Sequence, residues 1–133
     1  MTILIDASAL VAIATREPEA AAFARVIEDH STRLCCAIGI WEAARAIARS
    51  RRITVSEAAS ALRRLQADLD LKVVPIGANE ANLALDAHDR FGKGTGHPAR
   101  LNMGDCFAYA CAKANDARLL YKGDDFTMTD MAR

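Results

Sequence analysis

The sequence lacks an excess of charge of either sign, a long apolar run and a basic leader segment. Its 17 Lys and Arg residues balance its 17 Asp and Glu residues, which excludes histone-like and RNA-coating proteins that act through overall charge. No stretch reaches the roughly 18–20 apolar residues of a membrane span, and Asp6 follows the start too closely for a signal peptide. We therefore expect a cytoplasmic protein that does not contact a membrane.

A metal-binding cysteine motif is also missing. The cysteines include no C-x-x-C pair, and the C-x4-C spacing of Cys106 and Cys111 is not that of a zinc site. The adjacent Cys35 and Cys36 would point to opposite faces of a strand. We expect four reduced, mostly buried thiols, which is typical of the cytoplasm.

What the sequence does contain is the pattern of one α/β domain spanning residues 1–133. Hydrophobic residues make up 52% of the chain, enough to bury a core at this length. Short apolar runs predict strands at residues 2–5, 33–37, 71–75 and 118–121. Helical patterns, with Ser56 capping the fourth helix and Asn102 the last, fall at residues 7–15, 18–29, 38–50, 56–69, 79–91 and 103–115. This alternation implies a mainly parallel sheet between helices, a three-layer α/β/α fold.

Acidic residues directly follow two of the predicted strands. Asp6 comes after the first strand, and Asp124 and Asp125 follow the last strand in a Lys-Gly-Asp-Asp turn. Because the carboxyl ends of parallel strands meet at one edge of a sheet, these acids should face the same crevice. Each also has a simpler interpretation, since Asp6 could cap the next helix and Gly-Asp-Asp is a common turn composition.

Two further acids lie on helices that could reach the same edge. Asp105 is in the first turn of its helix and points away from its bulky stripe, and Glu42 lies opposite the apolar stripe of the third helix. Their simpler interpretations are a dipole interaction for Asp105 and an ion pair with Arg45 for Glu42. Four acids from separate segments together predict one cluster.

Such a cluster needs a cation, because neighbouring carboxylates repel one another. Oxygen-only ligands suit Mg²⁺ or Mn²⁺. The chemistry that this favours is phosphodiester hydrolysis, in which the metal lowers the pKa of bound water and stabilises the leaving oxygen.

Arginines follow Glu42 along the same helix. Arg45 and Arg49 are four residues apart, which fits ordinary solubility but also contact with RNA phosphates beside the metal. We expect Trp41 in the core or at a partner interface rather than in a base-stacking platform, because no other aromatic accompanies it.

Four segments resemble the PIN-domain family. They are the helix that carries Glu42 and the stretches ILIDASAL at residues 3–10, NMGDCFAYA at 102–110 and LLYKGDDF at 119–126. The similarity covers essentially the whole chain. Within the family, the chain most specifically resembles the VapC-type toxins of bacterial toxin–antitoxin pairs. It implies a PIN-like α/β/α fold and an Mg²⁺- or Mn²⁺-dependent endoribonuclease that hydrolyses RNA with metal-activated water.

The resemblance also implies four catalytic acids, in family order: Asp6, Glu42, Asp105 and Asp124. Asp6 and Asp105 match the family's most dependable metal ligands, and Asp124 is preferred to Asp125 as the fourth acid. Ser8 matches a small hydroxyl that supports the metal shell, and Asp130 is a further candidate acid.

Family members are restrained by a VapB-like antitoxin from the same operon, dimerise within the toxin–antitoxin complex and bind operator DNA only through the antitoxin. The resemblance therefore implies three partners, namely an antitoxin, an RNA substrate and a second copy of the chain.

Two other functions fit part of the pattern. A receiver-type phosphoacceptor domain would also use Mg²⁺, but it expects paired acids after the first strand and an Asp ending a central strand. This chain has Asp6 alone and a third strand that ends in Val74-Pro75. The other alternative is a non-catalytic PIN-like binding module, which gives no reason for a chain to carry mutually repelling carboxylates.

Overall fold

A computed structural model describes residues 1–132. Its strands are β1 (Thr2–Ile5), β2 (Thr32–Cys36), β3 (Lys72–Val74) and β4 (Arg118–Leu120). Its helices are α1 (Ala7–Ala14), α2 (Ala20–Glu28), α3 (Ala37–Arg51), α4 (Val55–Asp68), α5 (Ala78–Phe91) and α6 (Met103–Ala114). The predicted order of elements is therefore confirmed, with ends that shift by one or two residues.

The four strands form one parallel sheet in the order β3-β2-β1-β4. Leu4 of β1 lies between Leu34 of β2 and Leu119 of β4. The β1–β4 ladder continues past the strand, because the amide of Asp6 donates to the carbonyl of Leu120 at 2.9 Å. The carboxyl ends of β1, β2 and β4 are thereby held level with one another.

Helices cover both faces of this sheet, which confirms the three-layer α/β/α fold. Ile3 and Ile5 point into the core beneath α1 to α4, whereas Leu4 points into the core beneath α5 and α6. Cys35 and Cys36 divide between these two cores in the same way, as the period of a strand requires. All four cysteines are free and buried, as predicted.

The start of α4 differs from the prediction. Thr54, not Ser56, is the N-cap, because its hydroxyl accepts from the amide of Glu57 at 3.0 Å. The carboxylate of Glu57 accepts in return from the amide of Thr54 at 3.1 Å, which completes a capping box. The prediction of Ser56 was wrong because the Thr-x-x-Glu spacing satisfies two backbone amides, while Ser56 lies inside the first turn.

The second helix also starts later than expected, at Ala20 rather than Pro18. Glu19 precedes it without a side-chain cap, and its carboxylate pairs instead with Lys122 across the molecule. None of the helices in residues 1–132 has the length and apolar character that a bilayer span requires.

Thr54→Ala should lower the free energy of unfolding by about 1 kcal/mol, because the amide of Glu57 in the first turn of the helix loses its acceptor. Urea denaturation followed by circular dichroism measures the change. Ser56→Ala is the matched control and should stay within about 0.5 kcal/mol of wild type. Equal losses in the two variants would show that Thr54 is not the cap.

Candidate active site

Asp6 lies at the carboxyl end of β1, where the direction of strand addition reverses. From β1 the chain adds β2 and β3 on one side, while β4 lies on the other side. Open α/β sheets bind ligands in the crevice at such a switch point. The fold therefore places Asp6 where the sequence predicted a site.

The Asp6 carboxyl is held by its own helix and by the segment after β4. Asp6 is 8% exposed and is the N-cap of α1. Its Oδ2 accepts from the amide of Ser8 at 3.1 Å and from the Ser8 hydroxyl at 2.6 Å. The Ser8 hydroxyl accepts in turn from the amide of Lys122 at 2.9 Å. Asp6 is thus a helix cap whose carboxyl is fixed in place by Ser8, the residue that the family resemblance implied as support for a metal shell.

Asp105 is fixed in a similar way at the start of α6. It is 9% exposed, and its Oδ2 accepts from the amide of Asn102 at 3.1 Å. The Asn102 side chain accepts from the amide of Asp105 at 2.9 Å, so the two residues form a capping box. The predicted cap at Asn102 is confirmed, and it sets the orientation of Asp105.

Glu42 reaches the same place from α3. This helix follows β2 without a loop, since Cys36 ends the strand and its sulfur caps the helix at the amide of Gly39. The carboxyl of Glu42 lies directly against the Cα of Gly104, and a Cβ at position 104 would overlap it. Gly104 therefore forms a cradle for Glu42 beside Asp105.

The acids influence one another electrostatically. Burial raises the pKa of Asp105 to about 7, against the hydrogen bond from Asn102 and helped by the charges of Asp125, Asp6 and Glu42. Burial also raises the pKa of Asp6, opposed by its bonds to Ser8 and helped by Asp125. Burial and the charge of Asp6 raise the pKa of Glu42. These are the shifts expected of a carboxylate cluster without a cation.

The neighbour that acts on Asp6 and Asp105 from the turn after β4 is Asp125. Asp124 contributes its backbone carbonyl, which accepts from the amide and the hydroxyl of Thr127. In the structure it is thus the charge of Asp125 that acts on the two buried acids, whereas the sequence prediction preferred Asp124 as the fourth acid. Gly123 precedes this pair with a positive φ of 92°, a conformation that glycine adopts without strain.

Asp130, the further candidate acid, contacts Tyr109 and Lys113 rather than the acidic cluster. Its carboxylate accepts from the hydroxyl of Tyr109 at 2.8 Å and pairs with Lys113 at 2.5 Å. Partial burial alone would raise the pKa of Asp130, but these two partners lower it overall. This acid is already neutralised and is not brought to the cluster.

The donor set of the cluster fits a hard divalent cation. Within residues 1–132, none of its four carboxyls forms an ion pair with Lys or Arg, so the negative charge is uncompensated: Asp6, Glu42, Asp105 and Asp125. In this described part of the chain, no group of three Asp, Glu, His or Cys side chains is arranged to coordinate one metal ion. Mg²⁺ commonly uses only one or two carboxylates and keeps several waters, so the arrangement is compatible with that ion.

A cleft of about 440 Å³ opens beside the cluster, between α1 and α3. Ser8 and Glu42 line it on the side of the acids, and its cations are Arg45, Arg49 and Lys122. The expected ion pair between Glu42 and Arg45 is absent from the described residues, and the Arg45 guanidinium lies 4.7 Å from the ring centroid of Trp41 instead. The cleft thus joins a negative and a positive surface.

Sequence reasoning missed several residues at this site. Gly104 carried a signal, since it stands beside Asp105 in the GDCFAYA segment. Lys122 was not singled out for the cleft, and its ammonium pairs with Glu17 at 3.2 Å and Glu19 at 3.1 Å. Those contacts join residues more than 100 positions apart, so no local pattern could have revealed them. Trp41 is 57% exposed, which excludes the core position that was one of its two expected places.

The comparisons with known proteins all indicate the same family. The family model of the PIN domain matches residues 3–131. A VapC ribonuclease of Rhizobium meliloti is 37% identical over 96% of this chain and 97% of its own length. Ribonuclease VapC42 of Mycobacterium tuberculosis is 35% identical over 96% of this chain and 95% of its own. Ribonuclease VapC30 of the same species is 40% identical over 97% and 95%.

Asp105→Asn should make the metal-free protein more stable at pH 8, by an amount of order 2 kcal/mol. The carboxyl of Asp105 has a pKa of about 7 in the folded state, above its unfolded value, so the folded protein holds the extra proton. Its ionisation therefore removes stability as the pH rises toward 7, and the amide variant lacks that loss while keeping the oxygen that accepts from Asn102.

Urea unfolding between pH 5 and pH 8, with a chelator present, measures this difference. Asp130→Asn is a control of opposite sign, because the pKa of Asp130 is lowered and the variant should lose stability at pH 8. If Asp105→Asn lost as much stability at pH 8 as Asp130→Asn, the raised pKa of Asp105 in the folded state would be contradicted.

Proposed function

This chain belongs to the PIN-domain family and to its VapC branch, and from that membership we propose that it is a divalent-metal-dependent endoribonuclease. One observation carries the proposal: the buried acids Asp6 and Asp105 are held beside Glu42 and Asp125, and no cationic side chain of residues 1–132 forms an ion pair with them. The relatives, which match this chain over nearly their full length, are named ribonucleases. Their names support RNA as the substrate. The family match speaks against the receiver-type alternative.

The ion that we propose is Mg²⁺ or Mn²⁺, held by Asp6 and Asp105 with Glu42 and Asp125 in support. Such an ion supplies Lewis-acid chemistry, because it makes water a better nucleophile at neutral pH and stabilises charge on the phosphate. The chain keeps the two principal ligands in position through hydrogen bonds from Ser8 and Asn102. Side chains fixed in this manner need little reorganisation when the cation binds.

The cleft beside the acids gives the RNA backbone a place to bind. Arg45 and Arg49 lie on one face of α3 and can contact phosphates on either side of the bond that is cleaved. Lys122, from the segment after β4, also lines the cleft, where its ammonium is shared with Glu17 and Glu19. Contacts of this kind position a strand without reading its sequence.

We further propose that the enzyme acts as the toxin of a toxin–antitoxin pair. The VapC names of the relatives support a VapB-like antitoxin as its partner. A homodimer within that complex, binding to DNA only through the antitoxin, and a cytoplasmic location belong to the same proposal. Growth arrest on expression of the chain, relieved by the antitoxin encoded beside it, is the expected behaviour.

The function is tested by cleavage of total RNA by the purified protein, with Mn²⁺ and with a chelator. Wild type should cleave only with the metal, and Asp6→Asn and Asp105→Asn should each lose at least about 100-fold in rate. Asp125→Asn should lose about 10-fold or more, whereas Asp124→Asn, its matched neighbour, should retain most activity. Full activity in both Asp6→Asn and Asp105→Asn would end the proposal.

Mn²⁺ binding measured by calorimetry separates this function from the non-catalytic alternative. A metal-free protein that neither binds Mn²⁺ nor cleaves RNA would support a PIN-like binding module. Binding that is lost in Asp105→Asn would support the ribonuclease.

Gly104→Ala should separate activity from stability. A methyl group at position 104 displaces the Glu42 carboxyl, which is the mobile end of a side chain, so folding is spared. Alanine also favours the helix over glycine by about 0.5–1 kcal/mol. We expect unchanged or higher stability in urea but a loss of about 10- to 100-fold in RNA cleavage.

Glu42→Gln is the reference for this loss, and the double variant should be little worse than either single variant. Wild-type cleavage by Gly104→Ala would show that the position of Glu42 does not matter for the reaction.

A further inference from the structure

Trp41 is the single tryptophan of the chain, and 57% of its surface is exposed. It is one turn before Arg45 on α3, and the Arg45 guanidinium lies 4.7 Å from the centroid of the indole ring. This contact holds both side chains in a preferred geometry, since a cation is attracted to the face of an aromatic ring. An exposed aromatic ring with a restricted orientation is suited to stacking.

The surroundings of Trp41 combine charged and aliphatic side chains. The same cleft contains Arg45, Arg49 and Lys122, and its aliphatic side chains are Ala7, Val11 and Ala46. Arg45 and Arg49 form no ion pair within residues 1–132. The large exposed apolar residues Leu85 and Met103 line a different groove, on α5 and α6. Trp41 is therefore the one aromatic ring of this cleft, and the two arginines beside it have no ion-pair partner among the described residues.

On the basis of the proposed function, we propose that Trp41 and Arg45 form a stacking platform for one unpaired base of the RNA substrate. A nucleotide offers a planar ring for the indole and phosphates for the neighbouring cations, so it matches both features of the cleft. An apolar peptide would leave the arginines without an anionic partner. An acidic peptide would leave the indole ring without a planar group to stack on it.

The position of Trp41 also indicates which base it takes. Trp41 and Glu42 are consecutive on α3, and both line the cleft that leads to the acids. A base on the indole therefore belongs to a nucleotide next to the phosphate that is cleaved. In a duplex both faces of that base are covered, so the platform selects RNA in which this nucleotide is unpaired.

The test uses the full chain with Asp105→Asn, which prevents cleavage, and follows the fluorescence of its single tryptophan. A short single-stranded RNA should quench this fluorescence. Inorganic polyphosphate and an RNA of the same length made entirely of abasic residues should leave it nearly unchanged. Duplex RNA of the same sequence should quench weakly.

Affinities measured with labelled RNA complete the test in the same background. Trp41→Ala should weaken binding of the single-stranded RNA by about 5- to 150-fold but leave binding of the abasic RNA unchanged. Trp41→Phe should restore most of the affinity, because it keeps an aromatic face. Leu85→Ala, which alters an exposed apolar side chain in the other groove, is the matched control and should bind like its parent.

Three results would overturn the platform. One is equal weakening of normal and abasic RNA by Trp41→Ala, which would mean that only phosphates are bound. Another is unchanged RNA affinity in Trp41→Ala, which would leave Trp41 to a protein partner. The third is RNA cleavage by wild type without any quenching in the Asp105→Asn background.

The proposed function can fail separately. Quenching by single-stranded RNA, together with a wild type that does not cleave RNA in Mn²⁺, would exclude the ribonuclease and still support the platform.

Discussion

The burial of carboxyl groups beside one another is the constraint around which the rest of this structure is arranged. Asp6 and Asp105 are buried, where like charges act strongly on one another. They stay in place because each is tied to the backbone near a helix start, Asp6 by Ser8 and Asp105 by Asn102. The sheet brings the two helix starts together, so the stability of the whole fold holds the charges at one edge.

The overall neutrality of the chain hides a separation of charge within it. Acids collect at the switch point of the sheet, and cations collect in the cleft beside it. A polyanion approaching the molecule would be attracted by the cleft and repelled by the acids until a cation neutralises them. Under the proposed function, metal binding and substrate binding would therefore be coupled through the same electrostatic field.

Much of this arrangement could be predicted from the sequence, because its causes are local. The β-branched run at Thr2–Ile5, the cap at Asn102 and the period of α3 each specify an element from a few neighbouring residues. Strand ends in a parallel sheet then locate the acids. The sequence could not predict which of Asp124 and Asp125 acts on the buried acids, because this depends on the backbone torsions of the turn. The exposure of Trp41 and the pairing of Lys122 with Glu17 depend on packing between distant segments.

The hydrogen bond from the amide of Lys122 to the hydroxyl of Ser8 determines when the acidic cluster can assemble during synthesis of the chain. It joins residues 114 positions apart, and the pairing of β1 with β4 spans a similar length of chain. During synthesis, Asp6 and Ser8 leave the ribosome long before β4 and Lys122 do. The first acid of the cluster is therefore made well before the segment that holds it in place. The order of translation itself separates the synthesis of Asp6 from the assembly of the cluster around it.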